Sequence, residues 1–410
     1  MKIAFIDNLK VGGGLSRFSY MLCKKMLEYN EDLQIDYYAH EANILRTPEL
    51  TTLSERLKIK VLYTTQTQVS TFTQRITSKI LRKLNLLNET NNDTITEIEE
   101  RVKDYDLAYF PVAHMMKKPN LDIPIVGTIH DFNWKYFFGS QIFSQAFVQE
   151  MDKEIIKWLT TTVTTCSSND VITEAKKLYP GIIQYPEVIH LAPLVFSENT
   201  DEETAQKVLS DLKIDFPYII FPGNFFPHKN HLNLFSAFSI LTKKDKYKDL
   251  KLILTGFNSD QVPFGIAEKF GVQLLTQNSP NHYFNVMGLG YQPNYVIEVL
   301  IKKAKLLVSP SIYEAICTPG MDAWYFETPT AISNIAPFIE HEEIWGVKPA
   351  YFDPMDVNNI AEVIDNCLTD YSTAQSNAAI SKKNISNYTW DIVANKYLSV
   401  FNKIVINKKC

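Results

Sequence analysis

Lys229 stands in Gly223-Asn-Phe-Phe-Pro-His-Lys-Asn230, and Glu314 and Asp322, eight positions apart, stand in Ser309-Pro-Ser-Ile-Tyr-Glu-Ala-Ile-Cys-Thr-Pro-Gly-Met-Asp322. A lysine neutralises an anion, and two carboxylates accept hydrogen bonds from hydroxyl groups. The lysine follows the apolar run 218–221 and precedes a helical pattern in which Leu232, Phe235, Phe238 and Leu241 share a face. It therefore sits where a strand hands over to a helix, the end of the strands at which open α/β sheets bind ligands. In the second segment, residues 305–309 read as a buried strand. Thr318, Pro319 and Gly320 then read as an N-cap, a first-turn proline and a residue permitting close backbone approach. A helix beginning there offers amide groups to an anion. Together the two segments predict a diphosphate ligand, with Glu314 and Asp322 accepting from sugar hydroxyls. The plainer reading of Lys229 is a solvated turn lysine.

Two further positions belong to the first half of the chain. Gly12, Gly13 and Gly14 separate a first strand from a helix in which Leu15, Phe18, Leu22 and Met26 share a stripe. The glycines either let the backbone approach a ligand or simply make a turn; Gly-x-Gly-x-x-Gly spacing is absent, which excludes a dinucleotide fingerprint. His130 ends the run 125–129 and precedes Asp131, which puts its ring at a strand end as a hydrogen-bonding group. Asp104 and Asp106 precede the strand pattern 107–111, at its amino end. That is the wrong end for a cleft, so a solvated turn is expected and no catalytic metal. Residues 72–87 set Arg75, Lys79, Arg82 and Lys83 beside Ile76, Ile80, Leu84 and Leu87. This basic edge on an apolar stripe suits an anionic membrane surface, against the commoner role of covering a core.

The elements that must carry these residues alternate. Strand patterns near 2–6, 35–39, 59–63, 107–111, 124–129, 162–166 and 187–191 are separated by helical ones, and a second series runs through 218–221, 251–255, 284–288, 305–309 and 330–333. Such alternation predicts an α/β protein with two parallel sheets covered by helices, and a ligand cleft between two similar domains. The polar, acidic stretch 197–204 reads as the hinge, giving domains 1–196 and 197–385 and a final segment 386–410. A chain of 410 residues, 45% hydrophobic and 21% charged, is long enough for two cores and excludes disorder. Its net charge of −5 leaves no general nucleic-acid footprint. Five cysteines without a Cys-x-x-Cys pair fit neither a zinc site nor a disulfide framework. With no signal-peptide pattern and no apolar run of spanning length, the expectation is a cytoplasmic protein, or one peripheral on the inner face of the membrane.

The motifs, taken in order, resemble the family 4 retaining nucleotide-sugar glycosyltransferases of the GT-B fold. Lys2 to Asp7 with Gly12 to Arg17, Ile125 to Asp131, the Lys229 turn, the Glu314–Asp322 frame and Tyr388-Thr-Trp390 all follow that family's sequence. The resemblance implies two Rossmann-like domains facing each other across a cleft, with the last helix crossing back to the first domain. It implies a UDP- or GDP-linked sugar as co-substrate, no cofactor, and a glycan or lipid-linked acceptor. Gly13 and Gly14 would face donor phosphate and acceptor, His130 the transferred sugar, Glu314 the donor-sugar hydroxyls and Asp322 the ribose. Lys229, with Asn224, His228 and the amides near Thr318, Pro319 and Gly320, would hold the diphosphate. The chain departs from the family's usual pattern in Asn224 and His228, where relatives often carry arginine, and in Asp322, where they carry glutamate. The departures at Asn224 and Asp322 keep open a non-catalytic glycan-binding or scaffold relative, and another GT-B-like enzyme such as a nucleotide-sugar epimerase is a separate rival. A glucan phosphorylase is disfavoured, since no lysine stands in a recognisable pyridoxal phosphate setting.

Overall fold

The computed structural model describes residues 1–7, 14–62, 89–137, 144–182, 184–196, 201–260 and 285–409. They divide into two compact units, Met1–Leu191 with Trp390–Cys410, and Ala192–Thr389. Each is built on one parallel sheet.

In the first unit the strands are β1 (Lys2–Asp7), β2 (Gln34–Ala39), β3 (Leu57–Val61), β4 (Leu107–Phe110), β5 (Ile125–Thr128), β6 (Val163–Cys166) and β7 (Glu187–Val188), in the order β3-β2-β1-β4-β5-β6-β7. Alternation along the strands divides the core into two layers. Ala4, Ile6, Ala108 and Phe110 pack with Ile98, Val102 and Trp158. Phe5 points the other way, onto Tyr37 and Tyr109, and Tyr109 in turn meets Tyr397 and Phe401 of the helix Trp390–Lys409. That helix buries Val393, Tyr397, Val400 and Phe401 completely or nearly so. Its neighbour is the helix Gly14–Tyr29, whose Phe18 lies against Trp390 and Tyr397. Gly127 on β5 is a glycine for want of room: a Cβ there would stand 2.7 Å from that of Ala113 and 3.0 Å from the Trp158 ring.

The second unit has β8 (Tyr218–Pro222), β9 (Lys251–Thr255), β10 (Val286–Gly288), β11 (Leu306–Ser309), β12 (Thr330–Ser333) and β13 (Ala350–Phe352), ordered β10-β9-β8-β11-β12-β13. The three-residue β13 has no counterpart in the sequence pattern, being too short to show a period; Ala350 pairs with Ala331 and extends the sheet by one edge strand. Strand side chains again alternate, Ile219 and Phe221 into one core and Tyr218 and Ile220 into the other. Near-continuous apolar runs such as Tyr-Ile-Ile-Phe are what a sheet covered on both faces requires. In both sheets the strand order reverses beside the first strand of the unit, between β1 and β4 and between β8 and β11. Those reversals are the topological switch points, where the connections diverge to opposite faces and leave a crevice at the carboxyl ends.

Candidate functional site

At the switch point of the second sheet, β8 runs into a short 3-10 turn, Pro227–Lys229, closed by Asn230 in the left-handed conformation at φ 56°. Asparagine tolerates that region better than most residues. Its side-chain amide donates to the Pro310 carbonyl at 3.0 Å and the Pro354 carbonyl at 2.7 Å, tying the loops after β8, β11 and β13 together. The Ile312 amide donates to the His228 carbonyl at 2.8 Å, a second tie. Held in this way, Lys229 donates from Nζ to Oε1 of Glu314 across the crevice, with the two side chains 20% and 16% exposed. The sequence-predicted lysine and first carboxylate are thus brought together as a partly buried ion pair. Asn224 uses Oδ1 to accept from the Phe257 amide at 2.9 Å, and His228 stacks its ring on Phe226 at 5.8 Å.

The helix Thr318–Tyr325 begins one residue earlier than the sequence predicts. Cys317, not Thr318, is the N-cap, because its carbonyl takes the first intrahelical bond, from Met321 N–H at 2.9 Å. Pro319 occupies the first turn. Gly320 makes room for sulfur: a Cβ would lie 2.7 Å from Cys317 Sγ. Burial, with the Glu314 charge adding to it, pushes the Cys317 thiol up to about 12, so no thiolate is available there. Asp322 is fully buried and accepts from the Leu194 amide at 2.7 Å, a partner 128 residues back that no local pattern announces.

In the first unit Gly14 opens its helix with nothing within 4 Å of a notional Cβ. Gly13 and residues 72–87 lie outside the described residues. His130 is buried, and Nε2 stands 2.8 Å from the Pro111 carbonyl; since a carbonyl only accepts, the ring carries its proton there. His114, which sequence reasoning missed, accepts the His130 amide at Nδ1, 3.3 Å away, and stacks on Trp134. Its position just past β4, at the other switch point, was the available signal. Burial pushes both imidazoles down to about 4, and His114 adds to the effect at His130. Below them Tyr109, Thr128, Thr165 and Tyr397 share a chain of buried hydroxyl contacts, 2.6 Å between Tyr109 and Thr128 and 2.8 Å between Thr128 and Thr165. Asp106 accepts the Lys2 amide at 2.8 Å, at the amino end of the first sheet. Among the described residues no group of three or more His, Cys, Asp or Glu side chains is placed to hold a metal ion, and no helix is long and apolar enough to cross a membrane.

Residues 202–385 match the family glycosyl transferases group 1. O-antigen chain mannosyltransferase B of Escherichia coli is 25% identical over 174 residues, which cover 42% of each chain, so the match spans less than half of that relative's length. Solved structures are similar over nearly the whole chain. Sucrose-phosphate synthase from Thermosynechococcus elongatus superposes with a TM-score of 0.72 at 16% identity, covering 99% of both chains. Anabaena Alr3699/HepE, solved with UDP and glucose, gives 0.69 at 16% identity, covering 98% of this chain and 100% of that one. The fold is therefore the α/β GT-B fold of glycosyltransferases.

Proposed function

We propose that this protein is a retaining, metal-independent glycosyltransferase that moves a hexose from a UDP- or GDP-linked donor to a hydroxyl of a glycan or lipid-linked acceptor, in the synthesis of cell-surface polysaccharide or glycolipid. The observation that carries this reading is the Lys229–Glu314 pair at the switch point of the sheet whose unit contains residues 202–385, the segment matching glycosyl transferases group 1. In the proposed reaction the donor's diphosphate becomes the counter-charge of Lys229, which stabilises the negative charge that grows as the leaving group departs. Glu314, released from the lysine, accepts from donor-sugar hydroxyls, and the first amides of the helix at Thr318 face the phosphate. The bond from the anomeric carbon to the phosphate oxygen breaks, the bond to the acceptor oxygen forms on the same face, and the acceptor's proton passes to the departing phosphate. His130, neutral and held by Pro111, serves as a hydrogen-bonding group for the transferred sugar rather than a nucleophile. The work would be done at the inner face of the membrane, with residues 72–87 as the docking segment.

Thermal stabilisation by UDP, GDP and their glucose and mannose derivatives tests donor binding, since a selective ligand raises stability by mass action. The expected result is one nucleotide preferred clearly over the other, followed by sugar transfer with the anomeric configuration kept. No stabilisation by any of them overturns the reading. A non-catalytic sugar-nucleotide binder is the second reading, favoured by the engagement of Asp322 with Leu194 where a ribose contact was expected. Binding without turnover on any glycan acceptor would select it.

A further inference from the structure

The loop from Glu314 to the helix at Thr318 is anchored from beneath by one imidazole. His341 lies on the helix Ala336–Trp345 and is 1% exposed. Its Nε2 accepts the Cys317 amide at 3.0 Å, which places the ring proton on Nδ1. The ring is fixed by three aromatic neighbours: Trp345, stacked at 5.2 Å, Phe338 at 6.4 Å, and Trp324 edge-on at 5.7 Å. Cys317 is three residues past Glu314 and is itself the N-cap of the next helix, with its sulfur wedged under Gly320. A displacement of this one amide therefore moves the carboxylate that faces Lys229 and the helix start together.

We propose that His341 is a positioning residue: by accepting the Cys317 amide it sets the geometry of Glu314 and of the first turn at Thr318, and with them the affinity for a nucleotide diphosphate sugar. This rests on the reading above that the Lys229–Glu314 pair belongs to the donor site. Sequence gave no hint of it, because His341 sits in an unremarkable helical run and its partner is 24 residues away.

Two substitutions separate the hydrogen bond from the packing. His341→Phe keeps an aromatic ring but offers no acceptor, leaving a buried amide unsatisfied; His341→Gln keeps an acceptor. Calorimetric titration of the full chain with UDP-glucose and GDP-mannose, using whichever binds the wild type, is expected to give about tenfold weaker binding for His341→Phe, the order expected from losing one buried hydrogen bond. His341→Gln should return affinity to within about threefold of wild type, since the acceptor itself is restored. Glu314→Gln serves as the reference and should also weaken binding. His341→Phe binding like wild type beside an impaired Glu314→Gln overturns this inference alone; normal binding in all variants overturns the donor-site reading with it. Should His341→Phe fail to fold, hydrogen exchange in the wild type decides: the Cys317 amide must exchange as slowly as that of Met321, and rapid exchange overturns the proposal.

Discussion

The carboxyl ends of the two sheets carry opposite chemistry. In the second unit a lysine and a glutamate, each about one-fifth exposed or less, face one another as charges. In the first unit the carboxyl ends of β4 and β5 hold two imidazoles, 4% and 5% exposed, that burial keeps neutral and that are satisfied by backbone groups and aromatic faces. Charge that remains near solvent can be handed from one partner to another at modest cost, whereas a buried neutral imidazole whose N–H is already bonded offers a fixed direction without adding charge. Strand ends of two similarly ordered parallel sheets thus carry a charged pair in one unit and neutral imidazoles in the other.

The first unit's histidines rest on an aromatic layer that the helix Trp390–Lys409 completes, so Phe401→Ala, which empties a fully buried site beside Tyr109, should cost about 3–5 kcal/mol in a denaturant titration. A loss below about 1 kcal/mol would show the layer to be self-sufficient without that helix. Next comes the charged end. Lys229→Ala should lower turnover at saturating donor by roughly 10²-fold, or about 2.7 kcal/mol in the barrier; near-normal turnover removes the lysine from the reaction.

Acid sharpens the contrast by adding a buried imidazole to the second unit. His231 is ringed by Phe221, Phe225 and Phe235; neither ring nitrogen has a hydrogen-bond partner among the described residues; and burial, helped by the charges of Lys229 and His228, pushes it down to about 3. With the native value below the unfolded one of about 6.5, the unfolded chain binds more protons in between. This stability is therefore complete above about pH 6.5 and is lost as pH falls toward the native values, by about 2 kcal/mol per imidazole between pH 7 and pH 5. His231→Leu should flatten the pH dependence of stability by about that amount. An unchanged slope would mean the ring titrates as it does in water. The smallest effect is expected from chelation: activity should survive EDTA, and Asp104→Asn should change it little, as the placement of Asp106 at the amino end of the sheet suggests. Complete loss on EDTA treatment, restored by Mn²⁺ or Mg²⁺, would put a metal at the charged end.

The fold was legible because a parallel sheet buried on both faces needs uninterrupted apolar strands, and runs such as 218–221 and 306–309 are hard to read otherwise. That Lys229 and Glu314 stand at strand ends of one sheet could be read from the sequence, whereas their pairing with each other was not expected. What stayed hidden has a common physical origin. Asp322 with Leu194, Cys317 with His341 and His130 with Pro111 are pairings of a side chain with a distant backbone group, and every residue carries the same backbone group. Such partners leave no trace in residue type. The one-residue error at Thr318 arose similarly, since a threonine before a proline has the right chemistry for a cap while the capping carbonyl belongs to its neighbour.

The first unit is not contiguous along the chain. Its final helix is translated only after the roughly 200 residues of Ala192–Thr389, which at about 5–20 residues per second keeps a nascent first unit waiting some 10–40 s. During that interval Phe18 and Tyr109 lack the cover that Tyr397 and Phe401 later provide. The second unit is therefore synthesised in full before the first has all of its residues.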